Sequence, residues 1–250
     1  STFFVQSHVP AHTELAWIFM TLTPMAELER MTQYKDKSTR QAGNINAGLF
    51  SYPVLQAADI LLYHATHVPV GEDQVQHIEL TRDIARWFNN RYQVDYFEET
   101  EALLTAVPRV KSLLEPTAKM SKSRGTGHVI ELCDTPDMIE KKIKKAVTAS
   151  GGGGENPGVA NLLLLLKEFG DAALYEQYTT AEADGSIQYG SLKTDLSQCI
   201  TEHFAAFRAR RSELLADHDA IAEILIHGAE VAQHMASETI RAVREHIGVR

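Results

Sequence analysis

The sequence predicts an α/β fold: a parallel sheet, incomplete at its N-terminus, followed by an all-helical C-terminal domain. Three observations carry this. Residues 1–128 alternate short apolar runs with helical periods, the order from which parallel sheets with covering helices are built. Residues 129–250 keep a helical period almost throughout. Between strand and helix, "VPVGEDQ" ends an apolar run on a glycine, and open parallel sheets bind nucleotides at such junctions. The order is Rossmann-like.

The elements follow in sequence. "STFFVQSHVP" opens on an apolar run that reads as a strand over Phe3 to Gln6, with no initiator methionine and no signal-peptide pattern. A strand at the very start implies that these residues continue an upstream segment. Helices are predicted around Glu14 to Thr21, Pro24 to Met31 and Tyr52 to Leu62, and a second strand at Val68 to Val70. Apolar Ile78, Leu80, Ile84, Ala85, Trp87 and Phe88 then mark a helix of several turns. In the second half, Ile139, Ile143 and Val147 repeat every four residues behind a Thr135 cap and Pro136. Four glycines at 151–154 and "NPG" at 156–158 form a joint. Helices follow at Val159 to Phe169, Ser191 to Ala216 and Ile221 to Ile247. The predicted domains are 1–128 and 129–250.

Composition narrows the function classes. The net charge of −9 argues against binding nucleic acid over the whole surface. Residues 1–128 hold 14 acidic and 12 basic side chains and 129–250 hold 19 and 12, so any such contact is a local patch. Lys141, Lys142, Lys144 and Lys145 form one candidate cluster, and Arg208, Arg210 and Arg211 another; each reads equally as a solvated helix face. No apolar run approaches the length of a bilayer span. Cys133 and Cys199 lack metal-ligand spacing and the histidines, among them His8, His12 and His77, show no H-E-x-x-H pattern, so no metal site is predicted. Ordinary thiols point to a reducing compartment, the cytoplasm.

Chemistry concentrates in "PTAKMSKSRGTG". Lys119 and Lys122 are compact charges on flexible stems, Ser121 and Ser123 add hydroxyls, and the glycines free the loop. On spacing alone this is a solvated basic loop or a phosphate contact. A second candidate is Asp59, a charge set among apolar residues of a helix, costly there unless satisfied. Its partner is an arginine, a backbone amide or a ligand. Glu72 and Asp73 suit the positive end of a helix, at a junction where an open parallel sheet binds nucleotides.

KMSKS, Lys119 to Ser123, resembles the signature loop of class I aminoacyl-tRNA synthetases. With "NAGLFSYPVLQAADILLY" at 46–63 and "VPVGEDQVQHIELTRDIARWFN" at 68–89, the chain resembles the bacterial-type tryptophanyl enzymes. The likeness runs from Phe3 to the C-terminal helices and is weakest between Arg91 and Val107 and around the glycine joint. It implies an ATP-dependent ligase that makes tryptophanyl-adenylate, releases pyrophosphate and transfers the acyl group to tRNA(Trp). ATP enters as a substrate with Mg²⁺, without a tightly bound cofactor. By this resemblance Lys119, Lys122 and Lys37 meet the phosphates. Gly71, Glu72, Asp73, Val110, Met120, Ser121 and Ser123 complete the ATP site. Asp59 accepts the indole N–H, Tyr52 and Gln74 hold the ammonium, and Gln56 lines the pocket where some bacterial members carry methionine. The helical domain contacts the anticodon region, and the enzyme is a homodimer with no DNA or membrane partner. The family's other signature, a HIGH-like tetrapeptide, is not found, and its expected position precedes residue 1. Two alternatives stand beside this reading. A tyrosyl enzyme usually carries tyrosine where Ala58 stands, and a truncated, non-catalytic synthetase would serve as a tRNA-binding or regulatory protein.

Overall fold

The computed structural model describes residues 1–32, 34, 45–104, 109–148 and 156–249. In chain order the elements used below are α1 (Ala11–Met20), α2 (Met25–Arg30), α3 (Ala47–Leu61), β1 (His67–Val70), α4 (Val75–Tyr92), β2 (Glu101–Leu104), α5 (Pro136–Lys145), α6 (Pro157–Phe169), α7 (Ala172–Ala183), α8 (Tyr189–His203), α9 (Ala205–Ala216) and α10 (His218–Ile247). They form two compact units, one of Ser1–Ala106 with Asp219–Arg250, the other of Val107–His218.

In the first unit, β1 and β2 pair in parallel, His67 opposite Glu101 and Val70 opposite Leu104, with α4 as the crossover. Asn46 starts α3 by accepting from the Leu49 amide at 3.0 Å. Buried His77, Thr81, Ile84 and Phe88 lie three or four residues apart on α4, so one face of that helix meets the core. Gln93, at φ 53°, ends it in the left-handed region. The rings of Phe19, Phe88 and Phe97 meet within 6.2 Å of one another. Ala232, Ala236, Ile240 and Val243 of α10 join this same core, and Thr239 donates to the Leu62 carbonyl at 2.8 Å.

The second unit is helical. Its core gathers Leu113, Ile139, Ile143, Leu162, Leu166, Leu192, Leu196 and Ile200. Thr135 caps α5, accepting from the Met138 amide, and Asp171 caps α7, accepting from Leu174 at 2.7 Å.

The structure departs from the expectations in four places. Phe3 to Gln6 is no strand: residues 1–5 have no regular structure and Gln6–His8 form a 3₁₀ turn. The segment lies on α10, where the Phe3 backbone carbonyl approaches Gly228 too closely to admit a Cβ. The helix expected from Ser191 to Ala216 breaks at Phe204 into α8 and α9. Helix α5 stops at Lys145, because Ala146 turns extended and the Val147 amide donates to the Leu113 carbonyl at 2.8 Å. The compact units also do not divide at residue 128. Leu113 packs with Ile139 and Ile143, whereas the last helix packs with the N-terminal half. Helix α7 and strand β2 lie outside the predicted elements; the four glycines at 151–154 lie outside the described residues.

Candidate active site

In the first unit, Tyr52, Gln56 and Asp59 stand four and three residues apart, on one face of α3. Gln6 Nε2 donates to both Asp59 oxygens, at 2.7 and 2.8 Å. His12 Nδ1 lies 2.7 Å from Asp59 Oδ1, and its Nε2 lies 2.8 Å from the Tyr63 hydroxyl. An ionised carboxylate only accepts, so Nδ1 is the donor in the contact with Asp59. His12 is buried, with the Phe4 ring stacked on it at 6.0 Å and set edge-on to Tyr63 at 5.8 Å. Burial, and then the charge of Asp59, push the Tyr63 hydroxyl up to about 12. The Asp59 side chain is 35% exposed. It is thus gripped from the protein side and open on another, and three of about four acceptor positions are used.

Tyr52 reaches elsewhere: its hydroxyl is 3.1 Å from Nε2 of buried His77 on α4. At the end of β1, Gly71 leads into a 3₁₀ turn over Glu72–Gln74 and thence α4. Gln74, at the N-cap of α4, makes no side-chain cap bond; its Nε2 donates to Asp73 Oδ2 at 3.1 Å. A Cβ at Gly71 would sit 2.9 Å from Asp73 Oδ1, so the glycine leaves that carboxylate its place. Lys37 lies outside the described residues.

In the second unit, the lysine loop begins as an antiparallel bridge between Lys111 and Lys119, with the Met120 amide donating to the Val110 carbonyl at 3.1 Å. The buried amide of Asn161 holds Lys111, donating to its carbonyl at 2.9 Å and accepting from its N–H at 2.8 Å. The Ser121 and Ser123 hydroxyls are 2.8 Å apart and fold a 3₁₀ turn over Lys122–Arg124. Gly125, at φ 110°, turns the chain in a conformation that disfavours a side chain. Lys119 is exposed and makes no ion pair among the described residues; Lys122 lies 3.5 Å from Glu131, and Arg124 pairs with Glu115. Val110 packs against the core of this unit. Of the basic cluster on α5, Lys142 is buried on Asp134 at 2.5 Å and is not a surface charge, while Lys141, Lys144 and Lys145 are exposed. Arg208 donates to the Thr201 carbonyl and Arg210 pairs with Glu213 at 2.9 Å.

Residues 1–207 match the family of class I tRNA synthetases for tryptophan and tyrosine. Tryptophan–tRNA ligase 2 of Streptomyces avermitilis is 44% identical over 99% of this chain and 74% of its own length. The tryptophan–tRNA ligase of Clostridium perfringens is 42% identical over 100% and 76%. The crystal structure of the Campylobacter jejuni tryptophanyl-tRNA synthetase, complexed with ADP and tryptophan, superposes with a TM-score of 0.83 at 36% identity, covering 100% of this chain and 77% of that one. The chain belongs to the tryptophanyl-tRNA synthetase family. Its fold is that of a class I synthetase, with a small parallel sheet and a helical region. No helix among the described residues is long and apolar enough to cross a membrane.

The sequence singles out Asp59 as a candidate and does not disclose what surrounds it. In the sequence alone Gln6 is a strand end and His12 one histidine among several without ligand spacing. The signal available was chemical: a helix carboxylate amid apolar residues needs donors, and "QSHVPAH" supplies an amide and two imidazoles.

Proposed function

We propose that this chain joins L-tryptophan to tRNA(Trp). The tryptophan carboxylate attacks the α-phosphorus of ATP, giving tryptophanyl-adenylate and pyrophosphate; a ribose hydroxyl at the tRNA 3′ end then takes the acyl group and AMP leaves. The observation that carries the reading is Asp59, an open carboxylate fixed by Gln6 and His12 with one acceptor position to spare for an indole N–H, in a chain 42–44% identical to tryptophan–tRNA ligases. An amino acid without such a donor leaves the carboxylate underused and is rejected.

No protein nucleophile is needed, so the work is positioning and charge stabilisation. Lys119 and Lys122 meet the phosphates, with Lys37 as a third contact. Ser121, Ser123 and Met120 shape that loop, and Val110 flanks the adenine. Gly71 admits the nucleotide, and Asp73 and Glu72 accept from ribose. Tyr52 and Gln74 orient the ammonium, and Gln56 lines the indole pocket. Magnesium would enter with ATP, as part of the substrate, and offset charge on its phosphates. Residues 129–250 contribute tRNA contacts through exposed Lys141, Lys144, Lys145 and Arg211. The working enzyme is a cytoplasmic homodimer.

Amino-acid-dependent ATP–pyrophosphate exchange tests this. Exchange with tryptophan and not tyrosine is expected. Exchange with tyrosine would favour the tyrosyl enzyme, against which Ala58 argues. Exchange with neither, in protein that still binds tRNA(Trp), would leave a non-catalytic binding protein.

A further inference from the structure

Glu131 lies outside the lysine loop and the proposed chemistry, yet the fold aims it at Lys122. Its backbone is anchored. The Glu131 amide donates to Asp134 Oδ2 at 2.8 Å, and the Asp134 amide returns to the Glu131 carbonyl at 3.0 Å, closing a turn. The Asp134 carboxylate is buried and is held in turn by buried Lys142 at 2.5 Å. Lys142 belongs to α5, whose Ile139 and Ile143 sit in the core of the unit. Glu131 therefore projects from a rigid platform, its side chain 27% exposed.

The other partner has the opposite character. Lys122 is 75% exposed on a loop of 3₁₀ turns that bends at Gly125. Glu131 Oε2 lies 3.5 Å from its ammonium. A lysine ammonium can satisfy one carboxylate or a phosphate at close range, and an ion pair with either competes with the other.

We infer that Glu131 is a positioning residue that engages Lys122 in the resting enzyme, so that ATP phosphates must displace a carboxylate to recruit this lysine. The inference rests on the reading of Lys122 as a phosphate contact. An exposed pair of this kind is worth little, which suits a restraint broken in every cycle. It lowers affinity for ATP by about 1.4- to 5-fold, the range that exposed ion pairs span.

Two measurements on the full chain test it, with Glu131→Gln, Glu131→Asp, Lys122→Ala and the Glu131→Gln/Lys122→Ala double variant. Peptide-resolved labelling of amines reads the contact: Lys122 is expected to label faster in Glu131→Gln and at the parent rate in Glu131→Asp. Calorimetric titration with ATP reads the consequence. Glu131→Gln is expected to bind ATP about 1.4- to 5-fold more tightly, Glu131→Asp as the parent does, and the double variant no more tightly than Lys122→Ala. Unchanged Lys122 labelling in Glu131→Gln would overturn the inference alone. So would unchanged or weaker ATP binding by Glu131→Gln when Lys122→Ala has lost affinity. If Lys122→Ala binds ATP as the parent does, the phosphate role of Lys122 falls, and the inference falls with it.

Discussion

Gln6 spends one amide nitrogen on both carboxylate oxygens of Asp59, at 2.7 and 2.8 Å, across 53 residues of chain. With His12 on Oδ1, the carboxylate is fixed by residues from outside its own helix. An acceptor held in this way loses little freedom when a ligand binds, so its selectivity for an N–H donor is built in before the donor arrives.

Asp59→Ala should remove that selectivity. A hydrogen bond to a charged group is worth about 1.5–3 kcal/mol, so kcat/KM for tryptophan in pyrophosphate exchange should fall by about 10- to 150-fold. Discrimination against phenylalanine should shrink with it. Discrimination equal to that of the parent would sink the assignment of Asp59 to the indole.

Tyr63 gives this cluster a pH signature. Burial, then the negative Asp59, push its hydroxyl up to about 12 from the ordinary value of 10.0. The unfolded chain releases this proton near pH 10, while the folded chain keeps it, so the unfolded state binds fewer protons in that window. Stability from Tyr63 is therefore complete below pH 10 and is lost as pH rises toward 12. Urea unfolding of the parent should lose stability through that range faster than Tyr63→Phe does. Parallel pH profiles for the two proteins would refute the coupling. Tyr178, raised by burial and its hydrogen bond to Asp195, remains in both as an internal reference.

What the sequence discloses, and what it conceals, follows the range of the interactions. Helix α4 is legible because Ile78, Leu80, Ile84, Ala85, Trp87 and Phe88 recur within a few residues, and the Thr135 cap of α5 because cap and recipient are three apart. The run "TFFVQ" misleads, since an apolar stretch does not name its partner; here Phe3 meets the backbone of α10 some 225 residues later rather than a strand. The break at Phe204 is hidden because apolar spacing continues across it. Strand β2, "EALL", has no β-branched residue and is held in register by β1. Asp59 was legible as a lone charge in an apolar helix, but Gln6 and His12 reach it only through tertiary folding.

Gly228→Ala tests the contact that replaced the predicted strand. The added methyl runs into the Phe3 backbone, which cannot swing aside as a side chain would. Overpacking of this sort costs about 1–3 kcal/mol. Gly190→Ala is the control: nothing lies within 4 Å of its Cβ, and in the first turn of α8 the change should raise stability by about 0.5–1 kcal/mol. Thermal midpoints should move in opposite directions, and a Gly228→Ala midpoint at or above the parent would show that Phe3 does not rest on α10.

The Lys142–Asp134 pair ties stability to the lysine loop, and its two partners are not equivalent. Lys142→Met leaves Asp134 buried with a charge that, among the described residues, only the Glu131 amide addresses, and removing one member of a buried pair costs about 3–5 kcal/mol. Adding Asp134→Asn to Lys142→Met removes the uncompensated charge, while the side-chain oxygen can still accept from the Glu131 amide. The double variant should therefore unfold at higher urea than Lys142→Met alone, although it has lost one more native group. A double variant at or below the single one would mean that Asp134 is not stranded by the loss of Lys142. If the platform is what presents Glu131, Lys142→Met should also free Lys122 to amine labelling as Glu131→Gln does, and the double variant should restore the parent rate. Stability and loop pairing would then rise and fall together, because one buried carboxylate holds both.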